Sequence, residues 1–336
     1  MTAQLEAPRP ELHAGVTAAL EEVLGPVHVV AVASELSSYS SSFRIEDLRV
    51  GLSDGRVLQL TFKDLSWHSM LGGARTVRSH HAHDPSREVA VYRRLLPDAP
   101  SGPPKFYGAL TDVSTDSHWL LLERVDGLQL RHIGEFDAWL ATAEWIGSFH
   151  AAFQTASGVG AAIAARLPTW DDDRIRWTLA RATAHVRGDD NESRRVLISE
   201  VETRYDAIAE RLSGSCPTVI HGQLYPANVI VESATARRIA VVDWETAAIG
   251  PAALDLAALT EGNWSREERD QLLTRYLLAR DGIATAEAVD QLAIDVTCAR
   301  VQLALDLLTV PRSVIPDDMA ADWLAHAAEL AQELSW

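Results

Sequence analysis

Apolar positions recur at helical spacing over residues 11–24, where Leu12, Val16, Leu20, Val23 and Leu24 share one side of a 3.6-residue repeat. An opening helix is expected there. From 28 to 65 the repeat shortens: HVVAVASEL, FRIEDLRVGL and RVLQLTFKDL are short, β-branched and partly alternating. Ser53-Asp54-Gly55 between the last two is a hairpin signal, so at least three antiparallel strands are expected. Asp84-Pro85-Ser86 then caps a helix over REVAVYRRLL, with Val89, Tyr92 and Leu96 inward. Two more strands are expected near Lys105–Leu110 and His118–Arg124. After Gly127 the chain turns helical and alanine-rich, with helices over 136–153, 174–187, 193–212, 266–280, 286–309 and 318–335. One β island interrupts them between Thr218 and Val242. The pattern therefore predicts an α+β, bilobal chain: a small antiparallel β-rich lobe over 1–125 and a larger helical lobe over 126–336.

A length of 336 residues suits two packed lobes, and 47% apolar with 23% charged residues is an ordinary globular composition. No window carries the ~18 apolar residues of a membrane helix, and the first 25 residues do not resemble a signal peptide. Cys216 and Cys298 cannot make a disulfide framework, so a cytoplasmic protein without a membrane partner is expected. The net charge of -17 argues against a nucleic-acid partner, because phosphate backbones require basic stripes. His80, His81 and His83 lie together without supporting carboxylate or cysteine spacing, and an exposed linker is expected there rather than a metal site.

The β island holds the chemistry: His221-Gly222-Gln223, Asn228 and a following apolar run, a polar connection over 233–237, then Ile239–Val242, Asp243, Trp244 and Glu245. A hairpin centred between Thr235 and Ala236 puts Asn228 opposite Asp243, on one face of the ladder. An amide oxygen and a carboxylate meeting there suit Mg²⁺. A loop cap at Asn228 and a chain reversal at Asp243 explain the same residues without a metal.

His-Gly-x-x-x-x-x-Asn followed by strand, turn, strand and Asp-Trp-Glu resembles the catalytic and metal-binding loops of the aminoglycoside phosphotransferase and choline kinase-like family. The resemblance runs in order from about Val29 to Leu259. It implies a kinase-type fold and ATP- and Mg²⁺-dependent phosphoryl transfer to a hydroxyl of a small molecule or peptide. It also implies catalytic roles for His221, Asn228 and Asp243, with Asn228 and Asp243 as metal ligands. Lys63 on the third strand would hold the α- and β-phosphates and Glu88 on the next helix would hold Lys63; an edge lysine facing solvent is the ordinary alternative. The Ser37–Ser42 turn, including Ser40 and Ser41, stands where a glycine-rich phosphate loop is expected, and backbone groups at Glu123 and Val125 would meet adenine. Asp255, in Gly250-Pro251-x-x-x-Asp255, either braces the catalytic loop or serves the first turn of a helix begun by Pro251.

Position 223 departs from the pattern, with glutamine where the family has its catalytic aspartate. An amide cannot take a proton at neutral pH. Three functions follow from this: a slowed kinase, for which Glu245 is the nearest alternative base; a nucleotide-binding pseudokinase with a protein partner; or nucleotidyl transfer. The acceptor is expected near the catalytic loop and the helical lobe, where Trp170, Asp171, Asp172, Asp173 and Trp264 offer acidic and aromatic groups, although Trp170–Asp173 also reads as a helix cap.

Overall fold

The computed structural model describes residues 10–37, 39, 42–77, 83–112, 114–154, 165–188, 191–232, 238–310 and 316–334. They form two compact units: residues up to 97 with 103–126, and 98–102 with 127 onward. The mixed α+β class is as expected, with an antiparallel sheet in the first unit and mostly helix in the second.

In the first unit, helix α1 (Pro10–Leu24) covers a five-stranded antiparallel sheet. Its strands are β1 (Val29–Leu36), β2 (Ile45–Leu52), β3 (Val57–Asp64), β4 (Phe106–Asp112) and β5 (Ser117–Glu123), in the order β1-β2-β3-β5-β4. Leu12, Val16 and Leu20 of α1 pack on Val50, Leu60, Phe62 and Leu121 of the sheet. Each such buried side chain contributes about 1.5–3 kcal/mol. Gly55 closes the β2–β3 hairpin at φ +88°, a conformation glycine adopts without a Cβ clash.

Between β3 and β4 lie the short helices α2 (Gly72–Val77) and α3 (Pro85–Ala90). Asp84 caps α3 by accepting the Ser86 N–H at 3.1 Å. The predicted helix over 87–96 is not uniform: after Ala90 it widens to a π turn over Val91–Leu95 and then tightens to 3₁₀. Val89, Tyr92 and Leu96 are buried, as the spacing predicts. His83 is half-buried rather than a free linker residue, its Nε2 2.8 Å from the Leu65 carbonyl, whereas His80 and His81 lie outside the described residues.

The second unit holds β6 (Gly127–Gln129), α4 (Phe136–Ala152), α5 (Asp172–Arg187), α6 (Glu192–Ser213), β7 (Pro217–Ile220), β8 (Val229–Glu232), β9 (Ile239–Val241) and β10 (Ala248–Pro251). These are followed by α7 (Ala253–Leu259), α8 (Arg266–Asp281), α9 (Ala286–Leu308) and α10 (Asp317–Glu333). Two small sheets, β6-β8-β9 and β10-β7, carry the loops of interest. Pro251 ends β10 rather than beginning α7. None of the described helices is long and apolar enough to cross a membrane.

Candidate active site

Lys63 sits on β3 between two neighbours, paired with Ile45 of β2 on one side and Leu120 of β5 on the other. A lysine on an inner strand cannot reach water as an edge residue does, and it is only 4% exposed. Its Nζ donates to both carboxylate oxygens of Glu88, at 2.7 and 2.8 Å, and Glu88 is 1% exposed. Burying two charges costs several kcal/mol per ion unless they are closely paired and hydrogen-bonded, and here they are. Asp84 sets this geometry by starting α3 three residues before Glu88.

At the end of β5, the Glu123 N–H donates to the Lys105 carbonyl at 2.8 Å, and the Glu123 carboxylate accepts the Lys105 N–H at 3.0 Å. Val125 follows as a half-buried residue of the connection. Ser40 and Ser41 lie outside the described residues.

In the second unit the His221–Asn228 loop leaves β7 and enters β8. Asp255, fully buried on α7, holds its start. Asp255 Oδ2 accepts the His221 N–H at 2.7 Å, and Oδ1 accepts the Gly222 N–H at 2.8 Å. So Asp255 braces the loop, and it does so from within the first turn of a helix. Gly222 has φ +82°, and a Cβ there would lie 2.5 Å from the Thr246 carbonyl oxygen. The loop and the segment after Asp243 are thus in contact at a point where only glycine fits.

His221 is fully buried. Its Nε2 donates to the Val242 carbonyl at 2.9 Å and its Nδ1 accepts the Gln223 N–H at 3.3 Å. Trp244 packs against the ring with centroids 4.7 Å apart. With both ring nitrogens engaged by backbone, His221 joins the loop to the second strand, which is a positioning geometry. Gln223 itself is half-buried. Asn228 Nδ2 donates to the Gln223 carbonyl at 3.0 Å, so its Oδ1 is the atom left to accept or to ligate.

The hairpin register differs from the sequence expectation. Val229 pairs with Val241 and Val231 with Ile239, so the ladder centres on residue 235. Asn228 therefore faces Val242, whose N–H donates to the Asn228 carbonyl at 2.9 Å, and not Asp243. A centre between residues 235 and 236 requires an even number of residues between paired positions; the observed pairs enclose an odd number, which moves each partner by one. Asp243 instead leaves the ladder with φ 70° and ψ 57°. Left-handed backbone is uncommon for a residue with a side chain, although aspartate tolerates it better than most. It is fixed here by neighbours: Trp244 Nε1 donates to the Val241 carbonyl at 3.0 Å, and a short 3₁₀ turn over Trp244–Thr246 follows at once. Glu245 lies half-buried on that turn.

Asn228 Oδ1 and the Asp243 carboxylate are hard oxygen donors, the type magnesium takes together with water and phosphate. Among the described residues, no group of three or more His, Cys, Asp or Glu side chains could hold a metal alone.

Of the residues expected near an acceptor, Trp170, Asp171, Asp172 and Trp264 are engaged elsewhere. Asp171 caps α5 by accepting the Arg174 N–H at 2.9 Å, and Asp172 accepts from Arg176 Nε at 2.7 Å. The Arg174 guanidinium lies over Trp170, 4.6 Å from its centroid. Trp264 packs on Trp139 at 4.7 Å and Phe136 at 5.6 Å. The cap reading of Trp170–Asp173 is the one realised.

Sequence reasoning missed what stands behind Asp255. Fully buried His150 of α4 places Nε2 3.2 Å from Asp255 Oδ2 and Nδ1 3.0 Å from the Tyr276 hydroxyl. Arg280 donates to that hydroxyl in turn. One consistent set of protons runs from Arg280 through Tyr276 and His150 to Asp255. The only signal in the sequence was a histidine on the apolar face of α4.

Many solved structures share this fold, and three illustrate it. Wild-type aminoglycoside 2'-phosphotransferase-IIIa in complex with GDP is 16% identical, with 97% of this chain and 99% of that chain covered at a TM-score of 0.59. A microcompartment-associated aminopropanol kinase is 16% identical over 89% of this chain and 90% of that one, at 0.58. Choline kinase LicA from Streptococcus pneumoniae is 16% identical over 94% and 96%, at 0.56. No curated protein matches the chain. At this identity the structures establish fold alone, but residues 58–292 match the family model described as the phosphotransferase enzyme family, and that span contains Lys63, Glu88, the His221–Asn228 loop, Asp243 and Asp255. The chain belongs to that family of phosphotransferases.

Proposed function

We propose that this protein transfers the γ-phosphoryl group of ATP, with Mg²⁺, to a hydroxyl of a small molecule. The observation that carries the reading is the buried Lys63–Glu88 pair. An isolated structural ion pair gains little over apolar residues of the same volume. A lysine held by both oxygens of one carboxylate is what phosphate oxygens require of a rigid cation.

In this reading Lys63 binds the α- and β-phosphates, and backbone near Glu123 and Val125 binds the base. Asn228 Oδ1 and the Asp243 carboxylate would hold the magnesium, which supplies charge neutralisation on the phosphates when bound. The left-handed Asp243 supports such a role, since strained backbone persists where a site requires it. The acceptor oxygen forms a bond to the γ-phosphorus as the β–γ bridging bond breaks, leaving ADP. Its proton passes to Glu245 or to solvent, because Gln223 can orient the hydroxyl but cannot accept the proton. GDP in the complex of the aminoglycoside relative makes GTP a natural comparison donor.

Gln223 also favours a second reading, in which the protein binds nucleotide without turnover and acts on a protein partner. General-base loss typically costs about 10²–10⁴-fold, which slows a reaction that depends mainly on positioning and charge. Gln223→Asp beside the wild type, assayed for ADP release with a panel of hydroxyl acceptors, separates the two. A rise of about 10²-fold or more, abolished by Asp243→Ala, is expected of a weakened kinase. No rise, with nucleotide still raising the melting temperature, fits the second reading and removes the first.

A further inference from the structure

Two residues beyond Gln223, Tyr225 enters a cavity of about 70 Å³ inside the helical unit. Glu261, Arg269, Arg300, Trp323 and His326 are among its other walls. The volume holds a small polar group rather than a whole metabolite. Both arginines are only partly satisfied. Arg300 Nη2 donates to the Thr260 carbonyl and hydroxyl, and Arg269 Nη2 donates to the Gly262 carbonyl at 3.3 Å. The Nε of each is buried without a hydrogen-bond partner.

Among the described residues neither guanidinium has a carboxylate within ion-pair distance, and Glu261 is an exposed wall of the same cavity. Burial and the neighbouring Arg269 charge lower the Arg300 pKa to about 10, with Glu261 and Glu333 opposing. A purely structural strap from Arg300 to the end of α7 would use its Nη2 and leave no reason for a second arginine. Two buried N–H donors left unmatched carry a desolvation penalty that a bound acceptor atom removes.

We propose that this cavity receives a carboxylate of the acceptor, held by Arg269 and Arg300, so that the substrate is a small hydroxy acid. The inference rests on the phosphotransferase reading only in calling this ligand the acceptor; the carboxylate site itself stands on the cavity. Arginine forks match the two oxygens of a carboxylate, whereas the cationic head of an amino alcohol would meet two like charges. Tyr225, a wall of the cavity, belongs to the same loop as Gln223, and this shared loop is the reason for assigning the carboxylate to the acceptor.

The test is isothermal titration of the full-length protein with three matched pairs: glycolate and ethylene glycol, glycerate and glycerol, 4-hydroxybutyrate and 1,4-butanediol. At least one carboxylate is expected to bind 10-fold or more tightly than its neutral counterpart. Arg269→Gln should weaken it about 10–100-fold, Arg300→Lys about 10-fold, and Glu261→Gln should tighten it severalfold. Arg269 makes a single long hydrogen bond, so its variant is expected to fold even where an Arg300 variant does not. Equal binding of acid and alcohol in all three pairs, or unchanged carboxylate affinity in Arg269→Gln, overturns the proposal. Melting-temperature shifts with Mg-ATP on the same samples keep the two readings apart. Carboxylate preference without any nucleotide effect sinks phosphoryl transfer alone, and the converse sinks the carboxylate site alone.

Discussion

Asp255→Asn perturbs one atom and leaves the shape of the side chain nearly unchanged. In the wild type three donors converge on this carboxylate: the His221 N–H, the Gly222 N–H and His150 Nε2. An asparagine can present its one oxygen to His221 and His150, and its NH₂ then points at the Gly222 N–H. The alternative flip loses two bonds instead of one. The better arrangement forfeits one charge-assisted hydrogen bond and sets two donors face to face in a fully buried place. Hydrogen bonds to charged groups contribute about 1.5–3 kcal/mol, and an orphaned buried donor costs about 1–3 kcal/mol. These overlap, so the expected loss is about 2–4 kcal/mol, a large fraction of the ~5–15 kcal/mol by which domains are stable. Urea unfolding followed by tryptophan fluorescence measures it, since Trp244 packs on His221. Under the proposed function, ADP release should fall more steeply than stability at low urea, because the displaced backbone is that of the His221–Asn228 loop. A loss under 0.5 kcal/mol with unchanged turnover would refute the bracing role of Asp255.

Gly222→Ala is expected to destabilise by about 2–4 kcal/mol in the same assay, since the new Cβ meets a backbone oxygen at 2.5 Å and φ is +82°; Gly55→Ala, with open space around it, should cost less. Burial pushes the Tyr225 phenol up to about 12, with Glu261 and Asp306 adding to the effect. A folded pKa above the unfolded one means that this stabilisation is complete below pH ~10 and is lost as pH rises toward 12. The stability of the wild type relative to Tyr225→Phe should therefore fall by about 1 kcal/mol between pH 9 and 11, read from urea midpoints, while Tyr205 and Tyr276 cancel in the difference. A flat difference would mean that Tyr225 is not buried.

The sequence by itself determined the class of fold and named candidates for the site. Periodicity alone separates the β-rich first part from the helical remainder, because the 2.0 and 3.6 repeats are local properties of the chain. His221, Gly222, Asn228 and Asp243 mark the loop through their resemblance to the phosphotransferase pattern, since residues 15 and 22 positions from Asp243 meet only if the intervening strands pair. Lys63 and Glu88 were legible as types in the right order, and their pairing was expected only through the family resemblance. Only the placement of β3 inside the sheet makes Lys63 a buried cation rather than an edge residue. The register of β8 and β9 also required the structure, because one residue in the connection decides which side chains oppose. The His150–Asp255 contact and the Arg269–Arg300 cavity join positions about 105 and 30 residues apart. No local repeat encodes such meetings; helix packing does, and it brings in His150, Tyr276, Arg269 and Arg300, which no sequence pattern singles out.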